Sequence, residues 1–105
     1  MATKNIMLVC AAGMSTSILV TKMQEVAAEK KLDARIFAVS GTEAEEKLKE
    51  KPVDVMLLGP QVRYMKPKLE QLANENSCAI EVINMRDYGT MNGEKVLDFA
   101  MDLVN

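Results

Sequence analysis

The residues best suited to chemistry in this chain stand together at Cys10-Ala11-Ala12-Gly13-Met14-Ser15-Thr16-Ser17, a thiol followed by small residues and three consecutive hydroxyls. Small residues give a tetrahedral anion room to approach the backbone. Where such a loop opens a helix, converging N–H groups and the positive end of the helix dipole favour negative charge. A thiolate is the competent nucleophile of a cysteine, and the same surroundings favour it without a basic partner. The pattern therefore points to Cys10 as a nucleophile toward phosphorus, with Ala11, Ala12, Gly13, Met14, Ser15, Thr16 and Ser17 as the phosphate-binding loop. The competing reading is a small packed thiol at the end of a core strand, the common fate of a free cysteine.

The elements that must position this loop are legible on either side of it. Asn5 to Val9 or Cys10 is a nearly continuous apolar run, as expected of a strand buried on both faces of a parallel sheet. From about Thr16 to Lys31, Ile18, Leu19, Met23, Val26 and Ala27 recur at helical spacing. Asp33 to Val39 alternates as a second strand, stopped by the cap-forming Ser40-Gly41-Thr42. Glu43 to Lys51 is a short charged helix ended by Pro52, and Val53 to Leu58 is a third strand broken by Gly59-Pro60-Gln61. A helical pattern follows from Val62 to Ala73, with Pro67 near a helix start or kink. Ala79 to Ile83 is a fourth strand, Met85 to Met91 a third loop, and Asn92-Gly93-Glu94-Lys95 opens a last amphipathic helix.

Alternating strands and helices predict an α/β fold: a three-layer sandwich with a four-stranded parallel sheet in order 2-1-3-4 and helices on both faces. Ligands of such sheets bind beyond the carboxyl ends of the strands, where strand order reverses. The Cys10 loop and the Gly59-Pro60-Gln61 loop should then share one rim. Cys78, before strand four, should lie at the opposite end.

Bulk properties narrow the choice. The 105 residues, 49% hydrophobic, suit a single domain spanning 1–105 with one core. Thirteen basic and fifteen acidic residues, with no basic stripe, leave no footprint for nucleic acid. No apolar run approaches the roughly 18 residues of a membrane span, so a cytoplasmic location is expected. Two cysteines read as free thiols rather than a disulfide framework. The absence of histidine removes the usual metal ligand and general base, so neither a metal nor another cofactor is expected.

The spacing from Cys10 to Thr16 and Ser17 invites comparison with the phosphatase loop Cys-x5-Arg-Ser/Thr, but Thr16 stands where a guanidinium would grip phosphate. Nor is there an Asp-Pro loop to supply an acid or base. A phosphocysteine formed here would be spared hydrolysis, which favours a phosphoryl carrier over a phosphatase. Nucleotide and dinucleotide glycine motifs are absent. A receiver-like site fails because Asp54 begins its strand, and a thioredoxin-like one because Cys78 is too far. A phosphatase or arsenate-reductase relative, and a regulatory module that docks without chemistry, remain as alternatives.

Three motifs in register, Cys10 to Ser17, Leu57-Leu58-Gly59-Pro60-Gln61 with Tyr64, and Tyr88-Gly89-x-Met91-Asn92-Gly93, closely resemble the lactose/cellobiose-type IIB component of the bacterial phosphoenolpyruvate-dependent sugar phosphotransferase system. The resemblance spans essentially the whole chain. It implies that Cys10 accepts a phosphoryl group from a phosphohistidine on a IIA protein and passes it to a sugar bound by the membrane IIC component, at the inner face of the membrane. Transfer between proteins would need an exposed cysteine. Gly59, Pro60, Gln61, Tyr64 and Tyr88 then become the expected partner-contacting rim, with Met14, Ile18 and Met65 as adaptable apolar neighbours. Nothing demands self-association, so a monomer is expected.

Overall fold

The two most apolar runs of the chain become the two inner strands of a parallel sheet. The computed structural model describes residues 3–10 and 14–104, and for 14–16 the backbone alone. The strands are Lys4–Cys10 (β1), Ala34–Ser40 (β2), Val55–Leu58 (β3) and Ala79–Val82 (β4). They pair in the order β2-β1-β3-β4, all parallel, as expected from the sequence.

Because side chains alternate across a strand, β1 divides its core residues between two faces. Ile6 and Leu8, with Val55 and Leu57 of β3, pack against Leu19, Met23 and Ala27 of helix Met14–Glu29 (α1) and Val96, Leu97 and Ala100 of helix Gly93–Val104 (α5). Met7, Val9, Met56 and Leu58 face the other way. They meet Ala44 and Leu48 of helix Ala44–Glu50 (α2) and Leu69 and Ala73 of helix Lys66–Glu75 (α3). The result is three layers with two separate apolar cores, which is why β1 and β3 read as continuous rather than alternating hydrophobic runs.

The segment after β3 departs from the single helical pattern: Pro60–Met65 is a 3-10 turn, broken at Val62 (φ −116°, ψ 20°), and α3 begins only at Lys66. Pro67 sits in the first positions of α3, where its missing N–H costs nothing. The expected third loop is also partly helical. Met85–Gly89 forms the short helix α4, started by Asn84, whose Oδ1 accepts from the N–H groups of Arg86 (2.8 Å) and Asp87 (3.3 Å).

Three helices end on a left-handed residue other than glycine: Lys31 (φ 56°), Ser77 (φ 54°) and Met91 (φ 51°). Each turn is closed by an N–H reaching back five residues, Leu32 to the Ala27 carbonyl, Cys78 to Ala73 and Asn92 to Asp87, at 2.8–2.9 Å. Gly93 serves a different purpose. A Cβ there would lie 2.8 Å from the Lys22 carbonyl carbon and 2.9 Å from the Met23 nitrogen, so its absence lets α5 lie directly on the backbone of α1. Asn92 caps the same helix, its Oδ1 accepting from Lys95 N–H at 3.1 Å.

Candidate functional site

Cys10 is the last residue of β1, at the carboxyl edge of the sheet and beside the point where strand order reverses. Its backbone is held from both sides. The Gly41 N–H donates to the Cys10 carbonyl at 3.1 Å and the Gly59 N–H donates to the Val9 carbonyl at 2.8 Å. Cys10 continues the Ile6–Leu8 alternation, so its side chain leaves the sheet on the α1 face. There the sulfur lies 3.9 Å from the Val39 carbonyl oxygen. Only 3% of the residue is exposed, in contrast to the open cysteine expected for transfer between proteins. The physical reason is its position: a side chain at the end of a central strand, on a face covered by a helix, is shielded unless its surroundings part.

Of the expected phosphate loop, Ala11, Ala12 and Gly13 lie outside the described residues, as do the side chains of Met14, Ser15 and Thr16. The backbone from Met14 onward begins α1, so a helix N-terminus, a setting that favours an anion, follows Cys10 after three residues. Ser17 is exposed on the first turn of α1, its carbonyl accepting from Thr21 Oγ1 at 3.1 Å.

The loop after β3 is adjacent, as expected from the strand order. Gly59 precedes the 3-10 turn, and a Cβ on it would come 3.4 Å from the Val9 oxygen and 3.5 Å from the Tyr88 ring. Tyr88 therefore does not stand on the rim. It is 6% exposed and packs in the α1–α5 core, where it supports the Gly59 loop from beneath. Tyr64, by contrast, is 74% exposed. With Pro60, Gln61, Arg63 and Met85 it lines a surface groove of about 380 Å³. Tyr64 also borders a smaller hollow of about 180 Å³ shared with Ser40, Gly41, Thr42, Val62 and Met65. Met65 is half-buried, its Sδ filling the space over Gly41.

Among the described residues, the large hydrophobic side chains left exposed are Ile18 (55%), Tyr64 and Met85 (71%). Each follows shortly after the carboxyl end of a strand, β1, β3 and β4 respectively, so all three surround the Cys10 edge. Ile18 and Tyr64 were expected there; Met85 was not, because it opens a helix too short to show periodicity. Ser40-Gly41-Thr42 shows in the sequence only as a strand stop and Glu43 as a helix start, whereas the structure joins them in one acceptor-rich turn. The Asn-capped α4 was signalled by Asn84 alone.

Cys78 sits at the amino edge of the sheet, 5% exposed, its Sγ 3.3 Å from the Ala79 carbonyl oxygen. Burial, and then the charge of Asp54, push its thiol up to about 12. Asp54 is itself a clip, its Oδ2 accepting from the Asn5 N–H at 2.7 Å. Among the described residues no group of acidic, cysteine or histidine side chains is arranged to hold a metal ion, and no helix is long and apolar enough to cross a membrane.

Residues 5–99 match the family described as "PTS system, Lactose/Cellobiose specific IIB subunit". A galactose-specific EIIB component from Lactococcus lactis subsp. cremoris is 50% identical over a 109-residue alignment covering all of both chains, and a cellobiose-specific one from L. lactis subsp. lactis is 49% identical with the same coverage. An oligo-beta-mannoside-specific EIIB component from Bacillus subtilis is 40% identical over 96% of each chain. The solution structure of a cellobiose-specific phosphotransferase IIB component from Borrelia burgdorferi superposes with a TM-score of 0.80 at 45% identity, covering 99% of this chain and 94% of that one. The lactose-specific IIB domain from Streptococcus pneumoniae shares the fold, with a TM-score of 0.85 at 17% identity over 99% and 100% of the two chains.

Proposed function

The chain belongs to the lactose/cellobiose-specific IIB family of sugar phosphotransferase system components, and from that premise we propose that it is a single-domain phosphocarrier whose Cys10 takes a phosphoryl group from a phosphohistidine IIA protein and gives it to a sugar held by the membrane IIC component. In the first step the P–N bond breaks, the P–S bond forms, and the thiol proton ends on the departing imidazole. In the second the P–S bond breaks, a P–O bond forms to a sugar hydroxyl, and the hydroxyl proton returns to sulfur. No proton acceptor on this chain is consumed, in keeping with a sequence that has no histidine.

The observation that carries this reading is the place of Cys10 at the carboxyl end of the strand where order reverses, directly before the N-terminus of α1. Backbone amides from Ala11 to Thr16, and the hydroxyls of Ser15, Thr16 and Ser17, are the groups offered to the phosphoryl oxygens. Ile18, Tyr64 and Met85 offer the partner surface, a mix of aromatic and methionine side chains of the kind enriched in interfaces. With Cys10 shielded to 3% exposure, docking must uncover the sulfur before transfer. The carrier works on the cytoplasmic face, as a monomer meeting IIA and IIC in turn. The sugar is of the cellobiose, lactose or chitobiose class, and IIC sets its identity.

The test is reconstitution with labelled phosphoenolpyruvate, the general phosphotransferase proteins, the cognate IIA and IIC-bearing vesicles. Labelled sugar phosphate should form with the wild type and not with Cys10→Ser. Undiminished sugar phosphorylation by Cys10→Ser would overturn the proposal.

A further inference from the structure

The β2 end of the Cys10 edge carries a held negative charge. Ser40 is the register partner of Cys10 at the carboxyl end of β2. Glu43 folds back onto Ser40: its Oε1 accepts from the Ser40 N–H at 3.2 Å and from the Ser40 hydroxyl at 2.9 Å. Thr42 Oγ1 lies 3.0 Å from the same hydroxyl. Parallel neighbours stand about 4.8 Å apart, so these bonds hold the carboxylate within roughly 10 Å of the Cys10 backbone, about one Debye length at an ionic strength of about 0.1 M. We propose that Glu43, pinned by Ser40, is a fixed anion that keeps the phosphoryl group on Cys10 loosely held and so drives its onward transfer.

This inference rests on Cys10 being the phosphorylated residue. The Ser40 hydroxyl and then the Ser40 N–H hold the Glu43 carboxyl below the usual carboxylate range, so it is charged throughout the neutral pH range. Lys47, one turn along α2, adds a weaker field of the opposite sign, and its ammonium bonds Glu50 at 3.4 Å. Glu45 and Glu46 extend the acidic first turn of α2. A phosphocysteine dianion feels this charge more strongly than the cysteine that remains after transfer, which carries less negative charge. Repulsion therefore raises the free energy of the loaded carrier relative to the empty one.

Glu43→Gln separates charge from geometry, because its amide oxygen still accepts from Ser40. The measurement is the equilibrium fraction of phosphorylated protein, by intact mass, against a fixed ratio of phosphorylated to free IIA. The phosphorylation equilibrium constant should rise about three- to tenfold at low ionic strength, and the difference should largely vanish near about 0.5 M salt, where the Debye length is only a few ångströms. Glu43→Lys should raise it further, while Glu75→Gln, at the end of α3, should leave it unchanged. An unchanged constant in Glu43→Gln, with wild-type Cys10 phosphorylated normally, overturns this inference alone. Failure of the wild type to load Cys10 overturns it together with the carrier reading.

Discussion

The two cysteines are nearly equally buried, at 3% and 5% exposure, yet they sit at opposite ends of the same sheet in opposite chemical surroundings. Around Cys10, β2 and β3 end beside Gly41 and Gly59, a helix begins, and three large apolar side chains stand in solvent. Around Cys78 an Asp54 clip ties β1 to the start of β3, and the surroundings suppress ionisation. Burial alone does not distinguish a nucleophile from a packing residue. The two ends of a parallel sheet differ, because at the carboxyl end every strand points its free carbonyl edge and its following helix N-terminus toward the same rim, which is where the proposed nucleophile lies.

The strongest way to disturb this contrast is to move the helix that follows Cys10. Gly93→Ala must push α5 off the α1 backbone, since its Cβ would meet main-chain atoms rather than a flexible tip. A loss of about 2–4 kcal/mol is expected, like other overpacking in a tight contact, and urea denaturation measures it. Gly41→Ala is the comparison: its Cβ would meet the terminal Sδ and Cε of Met65, which can turn aside, so about 1 kcal/mol or less is expected.

Alkaline pH probes the amino edge. In the unfolded chain Cys78 ionises near 9, whereas in the folded protein its thiol keeps its proton until about 12. Between those values the native state holds the extra proton, so stability falls as pH rises, by at most about 1.4 kcal/mol per unit. Cys78→Ala should flatten the decline relative to the wild type in denaturation curves taken from pH 8 to 11. Parallel curves would show that the buried thiol is not responsible.

Surface substitutions should separate the two ends by function. Tyr64→Ala removes a 74% exposed ring and should leave stability within about 0.5 kcal/mol while slowing phosphoryl transfer from IIA about tenfold, chiefly through KM. Asp54→Ala leaves the Asn5 N–H without its 2.7 Å acceptor and should cost about 1–2 kcal/mol of stability with transfer unchanged. Calorimetry and transfer kinetics on both variants check the pair. The smallest effect belongs to the helix ends: Ser77→Gly and Lys31→Gly relieve left-handed backbone at exposed sites and should each add about 0.5–1 kcal/mol to stability.

The sheet was readable from the sequence because β1 and β3 are continuously apolar, and a strand with two buried faces has no other pattern to show. The 3-10 turn after β3 and the helix α4 were not, because segments of one or two turns carry no period. The Tyr88-Gly89-x-Met91-Asn92-Gly93 motif was legible as a marker of kinship but not as a device. The structure resolves it into a core ring, a left-handed helix end, a cap and a close helix contact. For the candidate site, the place of Cys10 at the carboxyl end of a strand followed from the sequence pattern, whereas its shielding, the burial of Tyr88 and the reach of Glu43 onto Ser40 are tertiary facts with no local signature.

The most direct test of the central claim is site-resolved mass spectrometry of the protein after incubation with phosphoenolpyruvate, the general phosphotransferase proteins and the cognate IIA. The account predicts one phosphoryl group, on the peptide bearing Cys10, with the Cys78 peptide unmodified and no adduct in Cys10→Ser. A phosphoryl group on any other residue, or one that persists in Cys10→Ser, would contradict it.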